Sequence, residues 1–331
     1  MAVSRSAVVL CLAALAGLLA WPAFASDFGV DLTTKILIYA ILALSLELLV
    51  GQTGLVCFGQ AAFFGIAAYA TVRFSPEYDA AAIWWLLPSA VAASAVFALV
   101  MGALSLRTRG VYFIMVTLAF SQMAYYVIHD TPVGGGTDGI YLNVPPSVAV
   151  GSTQLLDLSD PLHFYYAALL ALVTCFVMLA VALRSRFGRA LAGIRVNEQR
   201  MRAAGFPTYP YQLAAFVISG AIAGIAGFLF ATKDGFVNPE LLSWHLSGAA
   251  LVMIILGGLG HLRGAVIGAF ALSLLEELFQ SREFVGGFAD HWHLGLGASI
   301  IACAALLPRG LIGLPRLLRA RLVGARHAGA P

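Results

Sequence analysis

Charged residues are scarce in this sequence. Only 11% of its 331 residues are charged and 61% are hydrophobic, with a mean hydropathy of +0.91, whereas a soluble domain carries about 25% charged residues. Because so many apolar side chains do not fit inside one soluble core, the composition predicts a membrane protein. The formal net charge of +3 gives no reason to expect a nucleic-acid partner.

Signatures of energy conversion and of enzyme chemistry are missing as well. The sequence has no G-x-x-x-x-G-K-[ST] stretch for binding ATP and no local arrangement typical of a Ser-His-Asp or Cys-His site. Its four cysteines lie in apolar segments, without metal-ligand or disulfide spacing. Metal binding at His291 and His293 would need further ligands, so we interpret that turn as an interfacial anchor around Trp292. We therefore expect no enzyme, no catalytic residue, no metal site and no cofactor in this chain.

The chain does contain a series of ten apolar segments. Crossing a bilayer core of about 30 Å takes about 20 helical residues, and these runs are too continuous for barrel strands, which alternate. The segments are 7–25, 35–50, 55–72, 83–106, 110–128, 163–183, 210–231, 246–259, 264–280 and 293–307. The pattern predicts an all-α, polytopic transmembrane bundle of about ten spans, some of them short and interrupted by glycine.

The distribution of basic residues predicts how the bundle lies in the membrane. Alternation from an N-terminus on the inside places 15 of the 19 Lys and Arg residues inside, which favours cytoplasmic N and C termini. The first span resembles a signal peptide with an A-x-A site at 23–25, but we expect it to stay uncleaved. The predicted parts are an N-terminal span and outside segment at 1–34, a transmembrane domain at 35–310 with an inside loop at 184–209, and a basic cytoplasmic tail at 311–331.

Two glycine-rich regions interrupt the apolar pattern, at 51–65 and at 246–268. Short or glycine-interrupted spans in both halves of a transporter indicate its substrate path, and irregular backbone at membrane depth must be enclosed by protein or line a cavity. Exposed helix ends there would offer donors and acceptors to a dipolar solute. The alternative is close helix packing through small residues. The candidate path residues in these regions are Gln52, Gln60, Gly257 and Gly258.

Three polar residues within apolar segments are further candidates for the path. Glu47 lies in the second segment, where a carboxylate is costly and indicates function by default. It would accept a substrate ammonium group, or it is a protonated or paired residue near the inner end of the span. Thr117 and Gln122 lie in the fifth segment, where they would line a pore or bond to a neighbouring helix. Both interpretations stay open for each residue.

The inside loop at 184–209 is rich in arginine. Asn197 is placed to cap a helix at 198–204, which Gly205 would end. A short helix bounded in this way can dock into a groove of another protein. The alternative is a basic loop that only sets the topology.

Several motifs resemble one family of transporters. They are Gly188-Arg-Ala-Leu-Ala-Gly-Ile-Arg195, Asn197-Glu198, Ala203-Ala204-Gly205, Arg109-Gly-Val-Tyr-Phe-Ile-Met-Val-Thr-Leu-Ala-Phe120, the outside-loop motif Gly135-Gly136-Thr137-Asp138-Gly139, and the run at 254–268. Over about residues 36–310, the chain resembles the permeases of LIV-type branched-chain amino acid ABC transporters, the "M" member of the permease pair.

This resemblance implies a multi-pass protein, surrounded by lipid in the bacterial inner membrane, that forms half of a pathway for branched-chain amino acids. It also implies a homologous second permease, two ABC ATPase subunits that use ATP, and a periplasmic solute-binding protein that delivers the small-molecule substrate. The residues that it assigns to ATPase coupling are Arg195, Asn197, Glu198, Arg202, Ala203 and Gly205. The loop departs from the family's form because Glu198 is followed by Gln199 and Arg200, not by two alanines.

Two alternatives stay open at this point. The first is an ABC permease for urea, short amides or other small organic solutes. The second belongs to another class, a secondary transporter or channel that works without partners. Uptake by this chain alone would distinguish the second from a subunit of an importer.

Overall fold

The computed structural model describes residues 5–76, 78–79, 81–150, 153–156, 158, 160–281, 291–307 and 310–314. Helices dominate this part of the chain. They are α1 (Arg5–Ala20), α2 (Asp27–Glu47), α3 (Gln60–Phe74), α4 (Ile83–Ser105), α5 (Val111–Asp130), α6 (Pro161–Arg184), α7 (Arg186–Val196), α8 (Glu198–Ala203), α9 (Thr208–Asp234), α10 (Trp244–Gly257), α11 (Leu262–Gln280) and α12 (Trp292–Leu306). The short strands are β1 (Ile140–Tyr141), β2 (Val148–Val150), β3 (Thr153–Leu156) and β4 (Phe236–Val237).

Five helices of the described chain are long and apolar enough to cross a membrane: α2 with the π-helical turn Leu48–Thr53 that continues it, α4, α5, α6 and α9. The pair α10 and α11 is bent by 113° and raises the number to six if it counts as one broken span. The predicted class, a helical membrane protein, is therefore confirmed. A helix lies in each of the ten predicted segments, but α3 and α10 have only 15 and 14 residues, so the count of ten crossings stays a prediction. The cytoplasmic position of both termini stays a prediction as well.

The two ends of the bundle are distinguished by their connections. α9 has 27 residues, and at 1.5 Å per residue it is about 40 Å long. It begins beside α8 and ends beside β4, so we call its two ends the α7/α8 end and the β1/β4 end. α2 runs in the opposite sense, because Asp31 near its start accepts a salt bridge from Lys233 at the end of α9 (2.8 Å).

α2 is the central helix. Of its most apolar stretch, 89% is buried, against 33% for α4, 22% for α5 and 28% for α6. Between helices in lipid the apolar side chains gain little by leaving the solvent, so close approach of small residues holds the helices together. On α9, a Cβ added at Gly224 would lie 2.9 Å from the Ser94 Cβ of α4, and the Ser94 hydroxyl donates to the carbonyls of Phe63 (3.0 Å) and Gly220 (2.8 Å). The helices α3, α4 and α9 therefore pack through small residues and one shared hydroxyl.

The segment between α6 and α9 forms two short helices. The Ser185 hydroxyl accepts a hydrogen bond from the Phe187 N–H (3.1 Å) and caps α7. The Asn197 side chain accepts from the Arg200 N–H (2.8 Å) and caps α8. Gly205 has φ +80°, a left-handed conformation that glycine adopts without strain. The predicted cap at Asn197 and the predicted helix that follows it are confirmed, with α8 ending one residue earlier than expected.

Candidate functional site

The chain breaks its helical path between α2 and α3. Gly54 has φ +77° and ends the π-helical turn, and residues 54–59 form no regular element before α3 begins. The Phe58 N–H donates to the Thr117 hydroxyl of α5 (3.3 Å). Among the described residues, the N–H groups of Val56 and Cys57 have no protein acceptor. Irregular backbone of this kind occurs at membrane depth only where protein or a cavity surrounds it.

The start of α3 lies in the middle of the bundle. Gln60 is completely buried, and its Nε2 donates to the hydroxyls of Ser45 (2.5 Å) and Ser219 (3.0 Å). Ser219 stands eleven residues into α9, about 17 Å from its α7/α8 end. The Ala61 N–H donates to the Ser247 hydroxyl in the first turn of α10 (2.9 Å). Two half-length helices, α3 and α10, therefore begin close together at mid-depth and run to opposite ends of the bundle.

Gln60 keeps an unused acceptor at this meeting point. Within the described residues its Oε1 atom is buried and has no hydrogen-bond partner. The Ser219 hydroxyl donates onward to the Ser45 carbonyl (2.7 Å). Ser45, Ser219 and Ser247 were not predicted, because a single hydroxyl in a long apolar run gives no local signal.

α5 closes one side of the break. Thr117 and Ser121 are completely buried, and the Ser121 hydroxyl donates to the Leu242 carbonyl (3.3 Å). Gln122 is partly exposed, and no partner for its amide lies among the described residues. On the face of α5 opposite Thr117 and Ser121, Met115 and Met123 are 60% and 61% exposed.

The α7/α8 end of α2 carries a cluster of polar groups. Glu47 is completely buried, and its Oε2 atom has no hydrogen-bond partner within the described residues. The Gln52 Nε2 donates to the Gly260 carbonyl (3.2 Å) and lies 3.5 Å from the Glu47 Oε1. Arg195, from α7, donates to the Gly51 carbonyl. Of the predicted path residues, Glu47 and Gln52 are thus brought together here, whereas Gln60 and Thr117 lie by the mid-depth break.

The second glycine-rich region forms the bend between α10 and α11. A Cβ added at Gly257 would lie 2.5 Å from the carbonyl carbon of Gly264 and 2.9 Å from the Gly268 nitrogen. Gly258 has φ +118°, outside the range that other residues adopt readily. These glycines allow two helices to cross in backbone contact. A role of Gly257 and Gly258 in the substrate path stays a prediction.

In the segment formed by α7 and α8, Glu198 makes more polar contacts than the other predicted residues. Its carboxylate accepts from the Arg202 Nη2 (2.5 Å) and the Thr208 hydroxyl (3.3 Å), and it lies 3.7 Å from the Arg109 guanidinium. It therefore ties α8 to the start of α9 and to the turn before α5. Ala203 and Gly205 are exposed, and no described atom lies within 4 Å of a Cβ added at Gly205. This leaves a smooth surface of small residues beside α8.

The outside-loop motif lies at the β1/β4 end. Gly135, Gly136 and Gly139 all have φ between +65° and +72°, and a Cβ at Gly139 would overlap the Val237 carbonyl oxygen of β4. The Thr137 hydroxyl donates to the Asp138 carboxylate (3.3 Å), and both residues are exposed. The glycines thus let the loop fold tightly over the β1–β4 pair, in which Ile140 faces Val237, next to a cavity of about 280 Å³.

At the remaining predicted turn, the Trp292 and His293 rings stack with centroids 3.7 Å apart. The part of the chain that the structure describes contains no group of three or more side chains arranged to hold a metal ion.

Comparison with known proteins assigns the family. Residues 28–302 match the family described as the branched-chain amino acid transport system permease component. The high-affinity branched-chain amino acid transport system permease protein LivM of Salmonella typhimurium is 33% identical over 317 residues, which cover 90% of this chain and 73% of that protein. LivM of Escherichia coli K12 is 32% identical over the same shares.

Other matches are partial or distant. The autoinducer 2 import system permease protein LsrC of Escherichia coli O9:H4 is 30% identical over 38% of this chain and 39% of that protein. Among solved structures, PsaBC from Streptococcus pneumoniae in complex with Fab aligns with 87% of this chain and 94% of its own, at 12% identity and a TM-score of 0.44. On the strength of the match over residues 28–302, this chain belongs to the family of permease components of branched-chain amino acid transport systems.

Proposed function

We propose that this chain is one of two permease subunits of an ABC importer in the bacterial inner membrane, and that it forms half of the pathway for branched-chain amino acids. It has about ten spans and both termini in the cytoplasm. The α7/α8 end faces the cytoplasm, where two ATPase subunits bind, and the β1/β4 end faces the periplasmic binding protein that delivers the solute. Family membership and the exposed small-residue surface beside α8 support these assignments.

The observation that best supports a role in transport is that the N-termini of α3 and α10 lie close together in the middle of the bundle. Helix N-termini bear partial positive charge and favour anionic groups, and half-helices in transporters present them to substrate carboxylates. Around the starts of α3 and α10, the Val56 and Cys57 N–H groups are unused donors and the Gln60 Oε1 is an unused acceptor among the described residues. A zwitterionic amino acid carries a carboxylate, which can accept from the N–H donors, and an ammonium group, which can donate to the Gln60 Oε1. The aliphatic side chain of leucine, isoleucine or valine adds no further polar group.

Subunit composition tests the first part of the proposal. The tagged chain, purified in mild detergent from membranes that contain the whole transport system, should bring down one second permease and two ATPase subunits. Recovery of the chain as a lone subunit under conditions that keep other ABC importers intact would contradict it.

Thiol labelling tests the path. In a variant whose four native cysteines are replaced, single cysteines at Leu55, Val56 or Phe58 should react with a charged aqueous thiol reagent in at least one nucleotide state. A cysteine at Val96, 60% exposed on α4, is the matched control and should stay unlabelled in lipid. Absence of labelling at all three path positions in every nucleotide state would refute the assignment.

The solute is tested by competition. Uptake of radioactive leucine by the complete transporter should be suppressed by excess isoleucine and valine. Suppression by urea or acetamide and not by these amino acids would favour the alternative, a permease for short amides.

A further inference from the structure

Arg195 is the last charged residue of α7, an exposed residue whose guanidinium group contacts the transmembrane helices. It extends toward the transmembrane helices and donates to the Gly51 carbonyl, in the π-helical turn at the end of α2. Its Cγ lies 3.5 Å from the position of a Cβ added at Gly54, and its Nη1 lies 3.5 Å from that of a Cβ added at Gly260. One guanidinium therefore reaches both glycine-rich breaks, the one after α2 and the one between α10 and α11.

The end of α2 is a favourable position for a guanidinium group. The last carbonyls of a helix lack intrahelical partners, and the partial negative charge there favours a cation. Glu47 lies four residues before Gly51, on the same face of α2, and is completely buried with a free Oε2 among the described residues. Both Glu47 and Arg195 therefore lie against Gly51, Glu47 from within α2 and Arg195 from α7.

Gln52 provides a second link between the break after α2 and the break between α10 and α11. The Gln52 amide, next to Gly51, donates to the Gly260 carbonyl in the α10–α11 turn (3.2 Å) and approaches Glu47 (3.5 Å). A side chain at position 51 would collide with the Glu47 carboxylate, whose Oε2 lies 2.5 Å from an added Cβ. α7, the end of α2 and the α10–α11 turn are thus connected through hydrogen bonds of Arg195 and Gln52.

We propose that Arg195 is a positioning residue that transmits movement of the α7–α8 segment to the two broken spans. The inference rests on the proposed function, because it needs ATPase subunits bound at α8. It assigns Arg195 to the transmembrane side of the coupling segment and not to the ATPase contact surface. The ATPase surface is then formed by the exposed residues of α8 and by Ala203 and Gly205.

The test uses the complete transporter reconstituted in liposomes, with its second permease, ATPase subunits and binding protein. The variants are Arg195→Ala and Arg195→Lys, and Arg186→Ala is the matched control, since Arg186 is an exposed arginine at the other end of α7. Two quantities are measured for each: the amount of ATPase that co-purifies, and the leucine taken up per ATP hydrolysed.

In Arg195→Ala the ATPase should co-purify fully, while uptake per ATP falls by about tenfold, a typical coupling effect. Arg195→Lys, which keeps a cation and a donor, should restore uptake per ATP at least in part, and Arg186→Ala should match the wild type. Loss of the ATPase from Arg195→Ala, or unchanged uptake per ATP in it, would overturn the proposal.

A variant that fails to fold and a complex that fails to transport can both be distinguished from a loss of coupling. If Arg195→Ala does not accumulate in the membrane, Arg195→Gln, which is neutral and of similar length, replaces it, and full uptake per ATP in that variant overturns the proposal. If the wild-type complex itself fails to transport, the proposed function has failed, and the role of Arg195 falls with it because it depends on ATPase-driven transport.

Discussion

Replacing Gly257 by alanine should force α10 and α11 apart where they cross. The added Cβ would lie 2.5 Å from the Gly264 carbonyl carbon and 2.9 Å from the Gly268 nitrogen, where ordinary contacts are 3.4–4 Å. The Gly264 carbonyl oxygen lies closer still. Because all of these are backbone atoms, no side chain can rotate away, and the helices must separate by about 1.5 Å in a closely packed interior. Overpacking of this kind costs about 1–3 kcal/mol.

Thermal unfolding of the purified protein in detergent measures this cost. Cys57 and Cys175 are buried free thiols, so a thiol-reactive fluorophore reports their exposure as the protein unfolds. A destabilisation of about 1–3 kcal/mol should lower Tm by about 2–6 °C.

A second glycine of α10 supplies the control. No described atom lies within 4 Å of a Cβ added at Gly248, so Gly248→Ala should leave Tm unchanged or raise it, since alanine is favoured over glycine in a helix by about 1 kcal/mol. Equal Tm values for the two variants would refute the packing argument. An unchanged Tm combined with altered transport in Gly257→Ala would instead support the alternative, a role in the substrate path.

Three other substitutions have defined outcomes. Gly205→Trp should block ATPase co-purification and leave membrane insertion intact, because Gly205 lies on the exposed surface with φ +80°; retention of the ATPase in a pull-down would contradict this. Gln60→Leu removes two hydrogen bonds to serines, which are worth about 0.6 kcal/mol each between transmembrane helices, so Tm should fall by about 1–3 °C; a stabilised variant with normal uptake would show that the cluster has neither role. Gly139→Ala would place a side chain at a positive φ and against the Val237 carbonyl oxygen. The β1/β4 end should then loosen, and limited proteolysis should cut it faster than in wild type. An unchanged cleavage rate would show that the loop tolerates the side chain.

The helices and their caps could be predicted from local sequence. Each apolar segment contains a helix because lipid offers no partners to the backbone, and Asn197 caps α8 because its side chain reaches an N–H group three residues along the chain. These features depend on residues within one or two turns of each other, which a pattern along the sequence can represent.

The bend and the polar clusters could not be predicted in this way. Hydropathy averages a run and does not show that α10 starts at mid-depth or that α10 and α11 meet at 113°, which depends on the contact between Gly257 and Gly264. The contact of Arg195 with Gly51 joins residues 144 positions apart. The two interpretations of Glu47 stayed open because its surroundings come from three separate segments.

Uptake by proteoliposomes tests the central claim most directly. Liposomes that contain this chain alone should take up no leucine, with or without ATP. Liposomes with both permeases and the ATPase subunits should take it up when ATP is enclosed on the ATPase side and the binding protein is supplied on the other. Leucine uptake by the chain alone, driven by an ion or solute gradient, would contradict the account and identify a self-sufficient transporter.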